Sequence, residues 1–307
     1  MKQFKDKFII GIDHGYGNIK TANHTFKAGI AAFDSEPVFQ TNMLTYGGKY
    51  YLVGEGHKEF SADKITDEEY FILTVAGIAM ELNSYGLTEA NVHIAAGLPL
   101  KWVSQQKKAF SDYLLRVPDV RFTFNKQNYH IRISGVNVFP QGYAAVAEFA
   151  SRMRGVNMIA DIGNGTMNTL TVINGAPQQG RMFTEKFGTH QCTLAVREQF
   201  SRKTQRELDD SIIEEVLING TADLSDDDLK IITDTAKEYV NGIFRRLREH
   251  GYDDKSTTLY ITGGDGCLIK NFYKYDISRV FFVDDIRAAA KGYEYMAELQ
   301  FRMGVSI

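Results

Sequence analysis

Cysteine and proline are scarce in this chain, and long apolar runs and clustered histidines are missing from it. The two cysteines, Cys192 and Cys267, stand far apart with no CxxC pair. That excludes a disulfide framework and favours a reducing compartment. No apolar run approaches the roughly 20 residues needed to cross a bilayer. The opening segment, Met1 to Lys7, is polar and charged, without the apolar stretch of a secretion signal. Cytoplasmic localisation, with no membrane partner, is the expectation. The seven histidines do not fall at metal-ligand spacing, and a HExxH or His/Cys zinc site is absent. Neither GxxxxGK[ST] nor a GxGxxG that opens a helix occurs, so Walker-type and Rossmann nucleotide sites are excluded as well. With five prolines and no Pro/Ser-rich linker, domain boundaries have to come from the order of the elements.

What the chain does have is an ordinary globular composition, 44% hydrophobic and 24% charged. Its 307 residues suggest two domains, at roughly 150 residues each. The formal net charge of -3 gives no general pull toward nucleic acid, so direct contact with DNA or RNA is not expected.

The first apolar strand, Phe8 to Ile12, runs into Asp13-His14-Gly15-Tyr16-Gly17 and a second strand over 18–22. Gly47-Gly48 followed by Lys49 to Val53 reads as a small hairpin within a mixed stretch, about 33–70, inserted into the first domain. Ile72, Val75, Ala76, Ala79 and Met80 recur at helical spacing over 71–85. A buried-type strand over 92–96 and a helix over 103–115 come next. They are followed by strands over 121–124 and 129–138 and a helix over 143–154. At Asn157 the opening move repeats: an apolar strand, Asp161-Ile162-Gly163-Asn164-Gly165-Thr166, and another strand over 169–173. The second half is mostly helical. Its strongest helix covers 226–250, with Ile232, Ala236, Val240, Ile243 and Leu247 on one face and Gly251 as the stop. Leu259-Tyr260-Ile261 is a strand that ends in Thr262-Gly263-Gly264-Asp265-Gly266, and a last helix spans about 286–299.

Three turns carry the candidate chemistry. In the first, a tight strand–turn–strand points backbone N–H groups into one concavity, a nest suited to phosphate oxygens. Gly15 and Gly17 allow close approach beside Tyr16 and Asn18. Lys20 supplies a point charge, and Asp13, which repels phosphate, is suited to holding a hydrated Mg²⁺. The second turn offers Asp161, Gly163, Asn164, Gly165 and the Thr166 hydroxyl. In the third, Gly263, Gly264 and Asp265 could lie against a base or ribose. Each turn alone also reads as a plain hairpin or a glycine-rich loop. Two Asp-Gly turns at equivalent places could together clamp one polyphosphate and one metal, which would make two facing acids tolerable.

These residues resemble the actin, sugar-kinase and heat-shock-chaperone ATPase superfamily. Within it they look most like the plasmid-segregation actins, the ParM/StbA group. The resemblance rests on Gly11-Ile12-Asp13-x-Gly-x-Gly-Asn18-x-Lys20, Gly97-Leu98-Pro99-Leu100, Phe139-Pro140-Gln141-Gly142 and Ile261-Thr262-Gly263-Gly264. It implies an α/β fold of two RNase H-like domains, each a mixed five-stranded sheet flanked by helices. The domains would be 1–155 plus 286–307, and 156–285. It also implies ATP, or GTP, with Mg²⁺ as ligands, and Asp13 and Asp161 as the acids that hold the metal through water. Gln141 would orient the attacking water; glutamine is a poor base, which favours slow hydrolysis. Self-assembly into filaments and a small DNA-binding adaptor at a centromere-like site are the implied partners. The second turn departs from the family pattern, with Asn164 in place of a glycine and Asn168 in place of the final acid. Asparagine accommodates left-handed backbone, so the turn survives the first change. Glu185, Lys186 and Arg206 are only candidates for ribose and base contacts and read first as solvated surface charges. A small-molecule kinase of the same fold, or a membrane-linked cytoskeletal actin, are the alternatives. The first needs a carboxylate base where Gln141 stands, and the second needs an amphipathic anchor.

Overall fold

The computed structural model describes residues 1–304 apart from 16, 39, 56–67 and 265. Tyr16, Asp265 and much of the expected insert therefore lie outside the described residues. The chain divides into two compact units, Met1–Glu148 joined by the stretch from Arg287 onward, and Phe149–Ile286.

In the first unit the elements run β1 (Lys2–Phe4), β2 (Lys7–His14), β3 (Asn18–Lys20), β4 (Thr25–Lys27), β5 (Ile30–Phe33), β6 (Met43–Tyr46), β7 (Lys49–Val53), α1 (Glu68–Asn83), β8 (Glu89–Leu98), α2 (Leu100–Leu115), β9 (Asp119–Phe124) and β10 (Gln127–Pro140). A 3-10 turn over Ala144–Val146 and the short α3 (Ala147–Ala150) follow. The second unit holds β11 (Val156–Ile162), β12 (Met167–Ile173), β13 (Ala176–Glu185), α4 (Thr189–Thr204), α5 (Asp210–Asn219), α6 (Asp226–Glu249), β14 (Thr257–Thr262), α7 (Gly266–Phe272) and β15 (Val280–Phe282). The chain then returns to the first unit as α8 (Ala288–Met303).

The two sheets share one plan. In the first, the order β4-β3-β2-β8-β10 has two antiparallel junctions and then two parallel ones. In the second, β13-β12-β11-β14-β15 repeats those directions junction for junction. The expected five strands hold for the second sheet. The first has ten, because β10 pairs on with β9, β9 with β6, β6 with β7 and β7 with β5, while β1 lies beside β2. The residues read as an insert are thus stitched into the parent sheet through β6 and β9. Their pairing uses backbone groups that no side-chain pattern announces.

Strand β2 reads as an unbroken apolar run because both its faces are covered. Ile10 and Ile12 join the core under α1 and α2, whereas Ile9 turns to the other face with Ala95, Phe139, Tyr293 and Ala297. Helix α1 is buried along nearly all its length, as suits a helix apolar on every side. Helix α8 closes the other face at backbone distance. A Cβ on Gly11 would stand 1.9 Å from the Ala290 carbonyl oxygen, and one on Gly292 would stand 1.8 Å from that of Ala144. The Glu294 carboxylate, 3% exposed, accepts the Gly11 N–H at 3.1 Å and lies 3.6 Å from the N-terminal ammonium. Burial pushes its pKa up to about 7, against the pull of that ammonium and of the Gly11 bond. Neighbouring Glu81 is held below the usual carboxylate range. Burial raises it, but hydrogen bonds from Thr21 and Asn23 and the ammonium outweigh that.

In the second unit α6 bears the expected stripe, with Ile232, Ala236, Val240, Ile243 and Leu247 all fully buried. Ser225 caps its start, accepting from the Asp228 N–H at 3.3 Å. The helix expected over 143–154 is confined to 144–150. Among the described residues no helix is long and apolar enough to cross a membrane.

Candidate functional site

Each unit carries an Asp-Gly hairpin at the same place in its sheet, and the two share a register. Asp13 pairs with Lys20 and His14 with Ile19 across β2 and β3. Asp161 pairs with Asn168 and Ile162 with Met167 across β11 and β12. In both, an aspartate is the next-to-last residue of the strand that takes a parallel neighbour on its other side.

The first hairpin is organised around Asp13, which is 8% exposed. Its Oδ2 lies 3.6 Å from Lys20 Nζ, and its Oδ1 accepts from Gln141 Nε2 at 3.3 Å. The pairing register sets the lysine facing the aspartate. Gln141 arrives from β10, whose ladder with β8 extends one step beyond Pro140 when Gln141 N–H donates to the Leu98 carbonyl at 2.9 Å. Gln141 therefore sits in the turn just past the end of β10, tied back to the end of β8. Asp13 and Lys20 thus meet Gln141, more than a hundred residues further along the chain, as one polar cluster. The Gly17 carbonyl accepts the Ala28 N–H at 3.1 Å. Beneath the turn, fully buried His14 meets Thr74 Oγ1 at 2.7 Å. That hydroxyl donates to the Tyr70 carbonyl at 2.6 Å, so the imidazole is the donor to it.

The second hairpin meets the third turn. Thr262 Oγ1 donates to Asp161 Oδ1 at 3.3 Å. Gly263 has φ +96°, and a Cβ there would fall 2.2 Å from the Ile162 carbonyl oxygen, so only glycine fits. Gly163 closes the hairpin, its N–H donating to the Thr166 carbonyl at 3.0 Å. Asn164 does not take a positive φ, so no left-handed residue is needed where the family pattern has glycine. Asn168, 3% exposed, accepts the Thr184 hydroxyl at 2.8 Å. It ties β12 to β13, and no acid stands there.

Sequence reasoning did not find what braces this second hairpin. The Thr189 and His190 N–H groups at the start of α4 donate to the carbonyls of Gly163 and Asn164 at 3.1 and 2.9 Å. Gly188, just before the helix, comes so close that a Cβ would stand 2.3 and 2.4 Å from those two oxygens. Its N–H donates to Gln191 Oε1 at 2.7 Å, and its carbonyl accepts Tyr239 OH at 2.7 Å. Burial pushes the Tyr239 phenol well up, which keeps it protonated and donating. A glycine three residues before a glutamine at a helix start was the available signal.

Other candidates are engaged elsewhere in the second unit. Glu185 accepts from Arg246 Nε at 2.8 Å and also pairs with His250. Arg206 pairs with Asp228 and lies 5.2 Å from the centre of the Phe200 ring. Cys192 is fully buried, and burial pushes its thiol up to about 12, so it is chemically quiet. Among the described residues no cluster of three or more His, Cys, Asp or Glu side chains is placed to hold a metal ion.

Residues 11–143 match the family model described as "Actin like proteins N terminal domain". No curated protein matches the chain by sequence. Among solved structures the chain is similar to Ta0583, an archaeal actin homolog, with a TM-score of 0.76 and 18% identity over 95% of this chain and 99% of that one. The complex of that protein with ADP aligns at 0.70 and 19% identity over the same shares. An Alp12 filament structure aligns at 0.69 with 14% identity, covering 96% and 99%. Bacillus thuringiensis ParM with ATP aligns at 0.68 with 12% identity, covering 97% and 100%. At such identities the likeness establishes the fold.

Proposed function

Because the chain has an actin-like fold, with an actin-like N-terminal domain over residues 11–143, we propose that it binds ATP with Mg²⁺, assembles into filaments and hydrolyses the nucleotide slowly to drive DNA segregation. The carrying observation is the matched pair of hairpins, each with a single aspartate one residue before the end of a strand that leads into a glycine-containing turn. A nucleoside triphosphate suits such turns, since their amides can meet phosphate oxygens while Lys20 supplies a positive charge. Gly15, Tyr16, Gly17 and Asn18 would serve the first phosphate contact, and Gly163, Asn164, Gly165 and Thr166 the second. Gly263, Gly264 and Asp265 would lie on the nucleoside side.

The donor set fits a metal that arrives with the nucleotide. Magnesium binds through one or two carboxylates plus phosphates and keeps several waters, and each turn offers one carboxylate. Asp13 and Asp161 would hold it through water. The bound cation would neutralise charge that develops on the transferred phosphoryl group. Gln141 donates to Asp13 at 3.3 Å, so its amide is already oriented from the strand end and can hydrogen-bond a water without taking its proton. Fast hydrolysis is not expected of that group. Filament neighbours would be further copies of this chain, and the DNA would be reached through a small DNA-binding adaptor. Domains of 1–155 plus 286–307, and of 156–285, are part of the same proposal.

Light scattering of the purified protein with Mg²⁺ and ATP, GTP, ADP or a non-hydrolysable ATP analogue, with phosphate release followed in parallel, tests the proposal. We expect scattering to rise with triphosphate and phosphate release to lag behind it. Gln141→Ala should assemble normally and lose at least tenfold in phosphate release, the usual scale for a positioned proton-transfer or water-orienting group. Flat scattering at tens of micromolar protein, with nucleotide bound, would remove the filament part of the reading.

A further inference from the structure

We infer that Tyr239 is a positioning residue for the second Asp-Gly hairpin, acting through Gly188 to hold residues 163–166 in the form that receives a nucleoside triphosphate. The inference rests on the nucleotide reading above and names a residue on α6, 51 positions beyond Gly188.

The contacts form a continuous line. Tyr239 OH donates to the Gly188 carbonyl at 2.7 Å, and Gln191 Oε1 accepts the Gly188 N–H at 2.7 Å. Both backbone polar groups of that one glycine are thereby fixed. The glycine leaves no slack toward the hairpin, since even a methyl group would overlap the Gly163 and Asn164 oxygens. The next two residues donate to those same oxygens. A shift of Gly188 therefore cannot be absorbed between it and the hairpin. The carbonyls of Gly163 and Asn164 are spent on α4 and the Gly163 N–H on the Thr166 carbonyl, so what the hairpin would offer an anion is the amides of residues 164–166.

Tyr239 is itself held. Its ring stacks on Phe187 with centroids 4.4 Å apart and planes 10° from parallel. The Arg246 guanidinium lies 3.9 Å over the other partner of that stack, the Phe187 ring, and is tied to Glu185 at the end of β13. The aromatic stack fixes where the phenol points, so the hydroxyl is the part that acts on Gly188 and the ring is the part that packs. Removing the hydroxyl alone separates the two.

The test is Tyr239→Phe, which keeps the ring and deletes one donor, set beside Asn271→Ala. Asn271 donates to the Leu217 and Ile218 carbonyls at 3.1 and 2.8 Å, joining α7 to α5 in the same unit. Two readouts are taken. Affinity is measured with a fluorescent ATP analogue and Mg²⁺, and amide hydrogen exchange over 163–166 is measured without nucleotide. Tyr239→Phe should weaken the analogue by about three- to tenfold, the scale of one buried hydrogen bond, and speed exchange in the hairpin. Asn271→Ala should leave both unchanged while lowering the melting temperature at least as much. Wild-type affinity and wild-type exchange in Tyr239→Phe would overturn the inference. So would an equal loss of affinity in Asn271→Ala, since that would mean stability alone sets binding. If the wild-type protein binds no nucleotide, the reading beneath the inference fails, and exchange over 163–166 still decides whether Tyr239 holds the hairpin.

Discussion

The two Asp-Gly hairpins have the same register and are held by different means. The first is braced by side chains that carry or share charge: Lys20 and Gln141 on Asp13, and Glu294 under Gly11, two residues upstream in the same strand. The second is braced by backbone groups of α4, a glycine at van der Waals limit, and a neutral phenol. One sheet plan thus presents two similar turns on a titratable support and on a rigid one. The contrast says that the position of such a turn is a property of the fold, whereas its support is a property of whichever element lies behind it.

The contrast breaks most sharply at two glycines. Gly188→Ala forces a methyl into two carbonyl oxygens and should cost about 3 kcal/mol or more, because the clash is with backbone that cannot rotate away. Gly163→Ala meets nothing closer than 3.7 Å and has no positive φ to strain. It should stay within about 0.5 kcal/mol of wild type in stability while weakening nucleotide, whose approach it crowds. Denaturant melts of both variants, alongside nucleotide titrations, check the pair; equal stabilities would mean that α4 does not brace the turn.

A second expected difference is in pH response. The folded-state pKa of Glu294 is raised to about 7 from an ordinary 4.5. Between those values the folded state holds a proton that the unfolded chain has released. The group's contribution is therefore complete below pH 4.5 and is lost as pH rises through 7. Glu294→Gln keeps an acceptor for Gly11 and carries no charge. Relative to wild type it should gain about 2 kcal/mol on going from pH 5 to pH 8, read from melts at each pH. Tyr239→Phe should show no such slope, since its phenol does not titrate in that range. A slope in both would erase the distinction between the supports.

The smallest effect is expected at Asn168. Asn168→Ala removes its bond with Thr184 and should cost about 1 kcal/mol, measured by thermal melting. A larger loss would mean that this asparagine supports the second hairpin as Lys20 supports the first.

The hairpins themselves were legible in the sequence because their signals are local. An apolar run, an aspartate and glycines lie within ten residues, and the same order recurs at Asn157. The stripe of α6 was legible for the same reason, since a period of 3.6 is visible in one window. What lay beyond reach depends on contacts between distant segments. Nothing near Gly188 says that two carbonyls press on it. Strand β13 gave no alternation to read, because it is a mostly solvent-facing edge with Pro177, Gln178, Gln179 and Gly180 near its start. The extension of the first sheet to ten strands likewise depends on the β6–β9 pairing, made between residues about eighty apart. The meeting of Gln141 with Asp13 was expected only through resemblance; in the fold it follows from one extra rung of the β8–β10 ladder.

The return of α8 to the first unit fixes an order of events during synthesis. The second unit is one unbroken stretch, Phe149–Ile286, and has all its parts once that stretch has left the ribosome. The first unit does not. Its β2 and β8 emerge early, but the face that carries Ile9 and Ala95 stays uncovered until Tyr293 and Ala297 are made. At 5–20 residues per second, roughly, the nascent chain waits some ten seconds or more with that apolar face open. The unit begun first is the one finished last.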